Sequence, residues 1–316
     1  MPNNRLKKNT KLLSIVVPVY FNEESLPLLH EEFCKIEKQL LERNVGLELI
    51  FVDDGSEDNS LNELFNLKNK NISMKIIKHT RNFGSLIATK TGLQFASGDC
   101  SMFVAADLQD PIKILPKMID YWLEGFKHVI AVRRSRKDPI ITKFFSFIFY
   151  KILKILVVSD YPKGGFDLQL IDKKLFPYFQ NSGKNTNPQL LAHWLGFERK
   201  KIYYDRPNRK FGKSRWTFKK RFSLFLDSIL GFSVRPIRII LTFGVLVSML
   251  SFFYFMFIII SALKGKIPVQ GFATIVSLIS FLFGITISML GIIGEYIWRI
   301  FDQVGKKPES VIDEIY

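Results

Sequence analysis

The sequence has little cysteine and lacks the common glycine-rich phosphate motifs. Its two cysteines, Cys34 and Cys100, lie in apolar surroundings without metal-ligand spacing, so they predict reduced core residues and imply neither a zinc site nor a disulfide framework. Neither Gly-x-Gly-x-x-Gly nor Gly-x-x-x-x-Gly-Lys-Ser/Thr occurs, which disfavours a dinucleotide oxidoreductase and a phosphate-loop ATPase. Internal repeats and low-complexity tracts are also absent.

Charge is missing from two long stretches near the C-terminus, the 25 residues 239–263 and the 23 residues 272–294. A helix of roughly 20 apolar residues crosses the ~30 Å hydrocarbon core of a bilayer. Each stretch therefore predicts a transmembrane helix, with a helix buried in a soluble core as the alternative. The short connector 264–271 predicts a helical hairpin, whose two ends would lie on one side of the membrane.

Nothing in the N-terminal region resembles a signal peptide, because residues 1–11 are polar and basic and the apolar run 12–20 is too short, so we expect the large N-terminal part to stay cytosolic. Basic residues flank the hairpin, with Arg235 and Arg238 before it and Arg299 after it, and modestly favour cytoplasmic ends. The formal net charge of +16 indicates anionic partners. The hairpin makes membrane lipids and phosphorylated substrates better candidates than nucleic acid.

Apolar strand-like runs alternate with helical segments, which predicts an α/β fold with a doubly wound, mostly parallel sheet. The predicted strands are 12–20, 47–52, 74–79, 102–106 and 128–133, and the predicted helices lie at about 26–40, 61–67, 86–96 and 111–125. Tyr20, Asp53, Arg81 and Asp107 each follow a strand. Because open α/β sheets bind ligands beyond the carboxyl ends of their strands, we expect these four residues at one edge.

The stretch 102–111 is an apolar run that ends in Asp107, Gln109 and Asp110. Oxygen ligands are thereby presented where a buried strand meets solvent, which indicates a site for a metal and a phosphate. An ordinary loop in which Asp110-Pro111 starts a helix is the alternative, because turns use these residue types.

Six short motifs occur in order along the chain: Val17-Pro18-Val19-Tyr20, Val52-Asp53-Asp54-Gly55-Ser56, Arg81-Asn82-Phe83-Gly84, Ala106-Asp107-Leu108-Gln109-Asp110-Pro111, Gly165-Phe166-Asp167 and Arg209-x-x-Gly212-x-Ser214-Arg215-Trp216. Together they resemble the family 2 glycosyltransferases of the GT-A type. Within that family they are similar to the polyprenyl-phosphate glycosyltransferases, such as the bactoprenol glucosyltransferases and dolichol-phosphate mannosyltransferase. The resemblance covers residues 12 to about 300.

The resemblance implies a site for a nucleotide-sugar donor. The positions implied to bind the donor are Pro18, Tyr20, Glu23, Asp53, Asp54, Arg81 and Ser214. Carboxylates suit this task because they accept hydrogen bonds from ribose hydroxyls and base N–H groups, and such charge-assisted bonds are strong. For the segment that starts at Asp54, a turn with a helix cap is the local alternative.

The resemblance also implies Mg²⁺ or Mn²⁺, because the family's acidic motif is usually Asp-Ala-Asp. In this chain Ala105 replaces the first aspartate, which leaves Asp107 and Gln109 as the matched ligands. Sparse protein ligation suits Mg²⁺, which commonly keeps waters and binds through one or two carboxylates plus phosphates. We expect Ala105 to change the affinity for the metal ion more than it changes which metal ion binds.

On the acceptor side, Asp167 corresponds to the family's candidate base or acceptor-site acid. A phosphomonoester with a second pKa of about 6 is already largely dianionic near pH 7, which favours an orienting role for this residue. Arg209, Ser214 and Arg215 correspond to a phosphate-binding motif, and guanidinium groups match phosphate geometry bidentately.

The predicted organisation is a cytosolic GT-A-like catalytic domain over 1–215, a juxtamembrane amphipathic helix over 216–236, a two-helix transmembrane anchor over 237–300 and a cytosolic tail over 301–316. A further interfacial helix is expected at about 140–158. Both amphipathic segments combine apolar faces with lysine and arginine, as helices of the headgroup region do, and a core helix is the alternative.

The implied activity is an inverting, metal-dependent transfer of a hexose, with UDP-glucose as the first choice of donor, to undecaprenyl or another polyprenyl phosphate at a bacterial plasma membrane. The apolar hairpin also offers a surface for a homo-oligomer. A processive polysaccharide synthase subunit stays open, although it needs more membrane spans and a Gln-x-x-Arg-Trp motif that the sequence lacks. A non-catalytic, membrane-tethered nucleotide-sugar-binding protein also stays open because of Ala105.

Overall fold

The computed structural model describes residues 10–68, 73–134, 140–162, 165–183, 186–205, 218–264, 271–305 and 307–316. These residues fall into two compact units. The first comprises the described residues up to Ser228 together with Pro308–Tyr316, and the second comprises Ile229–Lys307.

Eight strands of the described chain form one sheet in the first unit. They are β1 (Lys11–Val19), β2 (Val45–Asp53), β3 (Ser73–His79), β4 (Cys100–Phe103), β5 (His128–Arg133), β6 (Phe166–Asp172), β7 (Arg199–Tyr204) and β8 (Ile312–Ile315). Their order across the sheet is β7-β5-β6-β4-β1-β2-β3-β8. Only β6 and β8 run antiparallel to their neighbours, which confirms the predicted mostly parallel sheet.

Helices connect the strands of the first unit. They are α1 (Leu26–Leu41), α2 (Ser60–Lys68), α3 (Ser85–Gln94), α4 (Leu115–Leu123), α5 (Ile140–Leu156), α6 (Phe176–Gln180), α7 (Pro188–Trp194) and α8 (Phe218–Leu230). The helices predicted between the first five strands correspond to α1 through α4, with boundaries that differ by a few residues. The segment predicted as an interfacial helix at 140–158 is helix α5.

The central strands are buried on both faces, which explains their continuous apolar sequences. Leu13, Ile15 and Val17 of β1 belong to a large cluster that includes residues of α1, α2 and α4. Val16 points to the opposite face, where it shares a cluster with Ala88 of α3. Helices therefore cover both faces of the sheet, as a doubly wound fold requires.

Three strands, β6, β7 and β8, do not follow from the alternation of apolar runs in the sequence. Strand β6 lies antiparallel between β4 and β5, so its first residues reach the edge where those two strands end. Strand β8 lies within the segment 301–316 that the sequence predicts as a tail, and it extends the sheet beside β3.

The second unit contains two long apolar helices, α9 (Arg235–Leu263) and α10 (Phe272–Val304). The stretches Arg235–Tyr254 and Phe281–Val304, with mean hydropathies of 2.0 and 1.6, are long and apolar enough to cross a membrane. The uncharged stretches found in the sequence, 239–263 and 272–294, lie within these helices. Length and composition thus agree with two spans joined as a hairpin.

Candidate active site

Four adjacent strands end at one edge of the sheet, in the order β4-β1-β2-β3. Tyr20 follows β1, Asp53 ends β2, Arg81 comes shortly after β3, and Asp107 comes shortly after β4. The topology therefore places these four predicted residues along one edge. Because the chain passes from β1 to β2 on one side and from β4 to β5 on the other, the strand order reverses between β1 and β4, and such a switch point is where open α/β sheets bind ligands.

The carboxylate of Asp53 lies buried at the end of β2, with 1% of the residue exposed. Its Oδ1 atom accepts a hydrogen bond from the Ser56 N–H at 3.3 Å, while Oδ2 has no partner among the described residues. Burial raises the pKa of Asp53, and the hydrogen bonds from Ser56 offset this only in part. An unpaired buried oxygen costs free energy, so Oδ2 is suited to accept an N–H or O–H from a ligand.

Asp54 is the next residue in sequence and has a different environment. Its Oδ1 atom accepts the Phe83 N–H at 2.9 Å and lies 2.9 Å from Nδ1 of His79, while Oδ2 accepts the Gly84 N–H at 2.8 Å. The residue is 2% exposed, and both of its oxygens have partners in the protein. This arrangement supports a role in positioning the Arg81–Gly84 loop rather than in direct contact with a donor.

Gly55 brings the turn after β2 against the Arg81–Gly84 loop. Its φ of +72° lies in the left-handed region, and an added Cβ would lie 2.7 Å from the carbonyl carbon of Arg81. The exposed Arg81 places its guanidinium over the Phe83 ring, 4.7 Å from the ring centroid. This cation–π contact helps to hold the arginine at the edge of the crevice.

The end of β1 supplies three more of the predicted donor-site residues. Pro18 and Tyr20 are half-buried, and the Tyr20 N–H donates to Oδ1 of Asn22 at 2.9 Å. Glu23 is exposed, and its Oε2 atom accepts the Asn59 N–H at 2.9 Å, just before α2. Pro18 and Tyr20 therefore lie where the strand opens into the crevice, whereas one oxygen of Glu23 already stabilises the start of α2.

The turn after β4 is held by two carboxylates. Asp107 accepts the Gln109 N–H at 3.2 Å, and Asp110 accepts the Ala105 N–H at 2.7 Å. Between them Leu108 adopts a φ of 58°, a left-handed conformation that marks a tight turn. Asp107 and Gln109 are half-buried. The described part of the chain has no group of three or more His, Cys, Asp or Glu that could hold a metal ion.

Asp167 is the second residue of β6, and the antiparallel direction of that strand brings its main chain to the edge where β4 ends. Just before it, Gly165 has a φ of +67°, and an added Cβ would clash with the hydroxyl of Tyr150 on α5. The close approach of α5 therefore fixes the start of β6. The Asp167 side chain lies outside the described part of the structure, as do Arg209, Ser214 and Arg215, so their roles remain predictions.

His79 and Thr91, which lie outside all six sequence motifs, are connected to Asp54 by hydrogen bonds. His79 ends β3 with 1% of the residue exposed, and its Nε2 atom lies 3.1 Å from Oγ1 of Thr91 on α3. A lone histidine at a strand end and a threonine within a helix carry no motif. Only the tertiary contact of His79 with Asp54 reveals their connection to the edge that carries Tyr20, Asp53, Arg81 and Asp107, named here the donor edge after the nucleotide-sugar donor that the sequence predicts there.

Comparison with known proteins gives a consistent result. Residues 14–170 match the profile described as glycosyl transferase family 2. An uncharacterized glycosyltransferase of Synechocystis sp. is 31% identical over 306 residues, which cover 96% of this chain and 95% of that relative. The bactoprenol glucosyl transferase of Shigella phage SfII is 30% identical over 307 residues, which cover 95% of this chain and 97% of that protein.

Among solved structures, the mannosyl-3-phosphoglycerate synthase of Rubrobacter xylanophilus is similar with a TM-score of 0.47 and 16% identity, over 69% of this chain and 71% of that chain. The sequence relatives match along nearly the full length of both chains, and the profile match spans the strand ends described above. This confirms the predicted resemblance, and the chain belongs to the family 2 glycosyltransferases.

Proposed function

We propose that this glycosyltransferase transfers a hexose from a nucleotide-diphosphate sugar to a polyprenyl phosphate, with UDP-glucose and undecaprenyl phosphate as the first choices. The observation that carries the proposal is the similarity to a bactoprenol glucosyl transferase over 95% of this chain, which extends through α9 and α10. An acceptor anchored in a bilayer accounts for two long apolar helices in an enzyme whose catalytic fold is otherwise that of a water-soluble α/β domain.

The strand ends offer complementary groups for the donor. The Oδ2 atom of Asp53, which has no partner among the described residues, would accept a base N–H or a ribose hydroxyl, with the strength of a charge-assisted hydrogen bond. Pro18 and Tyr20 would border the nucleotide at the end of β1, and the exposed Arg81 would face its anionic part. Ser214, also proposed from the sequence, would bind the donor as well.

Asp107 and Gln109 fit a divalent cation as oxygen donors on a tight turn at the edge of the sheet. With one carboxylate and one amide oxygen from the protein, the ion would be Mg²⁺ or Mn²⁺, and waters and donor phosphates would complete its shell. When bound, it would neutralise charge on the leaving diphosphate. Asp110 stays with the main chain of Ala105 and shapes the turn.

In the proposed reaction an oxygen of the acceptor phosphate forms a bond to the anomeric carbon while the bond from that carbon to the nucleotide diphosphate breaks. In-line attack inverts the anomeric configuration. The acceptor phosphate needs little deprotonation near pH 7, so Asp167 would orient it rather than remove a proton. Arg209 and Arg215 would bind its charge, and the protein would act mainly by positioning two anionic reactants and offsetting their repulsion.

The connectivity of the first unit supports a common side for both ends of the hairpin. Its sheet contains strands from before α9 and, in β8, a strand from after α10. If α9 and α10 both cross the bilayer, the chain must return to the side from which it left. Basic residues next to membrane helices favour the cytoplasmic side, and Arg235 and Arg238 flank the hairpin. We therefore propose that this side is the cytoplasm of a bacterium.

A transfer assay tests the proposed function. The full chain, purified in detergent, is given undecaprenyl phosphate and one of UDP-glucose, UDP-N-acetylglucosamine, GDP-mannose or a UDP-amino sugar, with and without EDTA. We expect one mono-glycosylated lipid product that is lost with EDTA and restored by Mg²⁺ or Mn²⁺. Nucleotide binding without transfer from any donor would instead favour the non-catalytic alternative that Ala105 motivates, and a growing polymer would favour a processive synthase.

A further inference from the structure

We infer that Pro308–Tyr316, named here the return segment, is part of the donor site and positions the Arg81–Gly84 loop through a chain of side-chain hydrogen bonds. The inference rests on the proposed function in one respect, namely that this loop borders the donor. The return segment follows α10 in sequence and belongs to the same compact unit as strands β1 to β7. None of the six sequence motifs includes any of its residues.

The main chain of the return segment pairs with the strand that leads into the loop. Strand β8 lies antiparallel to β3, with His79 opposite Ile312. Tyr316 exchanges two main-chain hydrogen bonds with Ile76, at 2.8 and 3.0 Å. Ile312 also packs against the apolar cluster on the α3 face of the sheet. The return segment therefore covers what would otherwise be an open sheet edge directly before the Arg81–Gly84 loop.

Side chains continue this contact to the donor edge. The hydroxyl oxygens of Ser310 and Thr91 are 2.9 Å apart, Thr91 Oγ1 lies 3.1 Å from His79 Nε2, and His79 Nδ1 lies 2.9 Å from Asp54 Oδ1. Thr91, His79 and Asp54 are each at most 2% exposed. Asp54 then accepts the two N–H groups of the Arg81–Gly84 loop. Four side chains thus connect the return segment to that loop without a gap.

With Asp54 ionised and His79 neutral, the donors and acceptors in this series of hydrogen bonds can all run in one direction. An ionised Asp54 can only accept, so Nδ1 of His79 carries the hydrogen in their bond. In a neutral ring Nε2 then accepts from the Thr91 hydroxyl, whose oxygen in turn accepts from the Ser310 hydroxyl. Each hydroxyl donates toward the carboxylate, and hydrogen bonds aligned in this way polarise and strengthen one another in a buried setting.

A second contact fixes the return segment beside the first. Lys90 on α3 is 4% exposed and forms an ion pair with Glu309. It also donates to the carbonyl oxygens of Ser182 at 2.7 Å and Gly183 at 3.3 Å. A buried ammonium group is stable only with such partners. Adjacent residues of α3 therefore hold the adjacent residues Glu309 and Ser310 in register.

The series of hydrogen bonds from Ser310 to Asp54 predicts mutational effects of different size. In Ser310→Ala, Thr91 keeps its bond to His79, so the effect on the Arg81–Gly84 loop should be moderate. In Thr91→Val, the buried Nε2 atom of His79 loses its partner, so the effect should be larger. Thr91→Ser keeps the hydroxyl and should restore wild-type behaviour.

Hydrogen–deuterium exchange on the full chain in detergent, with and without UDP, measures the loop directly. The matched control is Asp313→Asn. Asp313 lies on the return segment and forms a partly exposed ion pair with Lys78 of β3, which the substitution alters. We expect amides of the Arg81–Gly84 loop to exchange about 2- to 10-fold faster in Ser310→Ala and faster still in Thr91→Val. We also expect the KM for UDP-glucose to rise by a similar factor, with kcat within about 2-fold of wild type.

The outcomes separate this inference from the proposed function. Wild-type exchange of the loop in both Ser310→Ala and Thr91→Val, with the variants folded by circular dichroism, would overturn the inference. Faster exchange spread over the whole first unit would also overturn it, because the segment would then serve general stability alone. If instead the wild-type chain transferred no sugar from any donor while the loop responded as expected, the proposed function would be wrong and the coupling would stand.

Discussion

At the scale of single residues, the neighbouring Asp53 and Asp54 show how local partners assign different tasks to the same side chain. Asp53 ends β2 with one oxygen unpaired among the described residues. Asp54 lies one residue further on, where two main-chain N–H groups and His79 occupy its carboxylate. The first carboxylate is therefore available to a ligand, and the second supports the loop beside it.

Asp53→Asn should weaken the binding of UDP by about 10- to 100-fold, as the loss of a hydrogen bond to a charged group does. It should also raise the melting temperature at pH 7 by roughly 2–4 °C, the equivalent of about 1 kcal/mol in a domain of this size. Burial raises the pKa of Asp53, so the folded state is penalised as the pH rises through that raised pKa, and asparagine removes the penalty. Isothermal titration calorimetry and thermal unfolding measure the two effects.

Asp54→Asn is the matched control, because the Phe83 and Gly84 N–H groups bond to different oxygens of Asp54, and an amide places an NH2 donor where one of those oxygens lies. It should lower the melting temperature, the opposite sign from Asp53→Asn. If both variants changed the melting temperature in the same direction, the assignment of one ligand-facing and one structural carboxylate would be wrong.

Asp107→Asn should reduce sugar transfer by at least about 100-fold, because the turn after β4 would lose its one matched carboxylate ligand. Membrane insertion and the melting temperature should stay near those of the wild type. Asp110→Asn is the comparison, since an asparagine oxygen can still accept the Ala105 N–H and most activity should remain. Full activity of Asp107→Asn in the lipid transfer assay would contradict the assignment of Asp107 as a metal ligand.

At the scale of elements, the buried carboxylate of Glu48 ties together the amino-terminal halves of neighbouring strands, away from the candidate site. Glu48 of β2 is 3% exposed and pairs with Lys75 of β3 at 2.8 Å. It also accepts the Ser14 hydroxyl of β1 at 2.6 Å and the Ser97 N–H at 3.0 Å. Three neighbouring segments thus meet at Glu48, at the end of the strands opposite to the donor edge.

Glu48→Gln should destabilise the first unit by roughly 1–3 kcal/mol at pH 7 and leave the KM for the donor unchanged. Burial alone would raise the pKa of Glu48, but the hydrogen bonds from Lys75, Ser14 and Ser97 outweigh burial and lower it. The stabilisation is therefore present above the unfolded pKa of about 4.3 and is lost as the pH falls through the lower folded value. Between pH 7 and pH 4, the melting temperature should fall less for the variant than for the wild type.

Most of the strands that the sequence predicted are largely buried apolar runs between helices. Strands β1, β2 and β5 show this most clearly, whereas β3 includes two partly exposed lysines and is recognised by its Ile76-Ile77 centre and its place between two helices. Strand β8 is different, because its residues are mostly exposed and only pairing with β3 makes it a strand. Strand β6 owes its place between β4 and β5 to long-range pairing as well, and no local pattern encodes its direction.

At the scale of the whole molecule, the first unit is assembled from two parts of the chain that α9 and α10 separate. We expect reporter fusions at residue 1 and residue 316 to give the same sidedness in intact cells, with both reporters protected from external protease. A fusion in the connector 264–271 should give the opposite sidedness. Termini on opposite sides of the membrane would contradict either the two spans or the pairing of β8 with β3.

The sequence by itself determined the family, the mostly parallel sheet, the two long apolar helices and the residues at the ends of β1 to β4. These features depend on local composition and on short motifs, which need no knowledge of distant contacts. Only the tertiary structure decided that Asp54 supports a loop, that His79 and Thr91 belong to the donor edge, and that the return segment completes the sheet. Each of these depends on hydrogen bonds between residues far apart in the chain, and such pairings leave no periodic trace in the sequence.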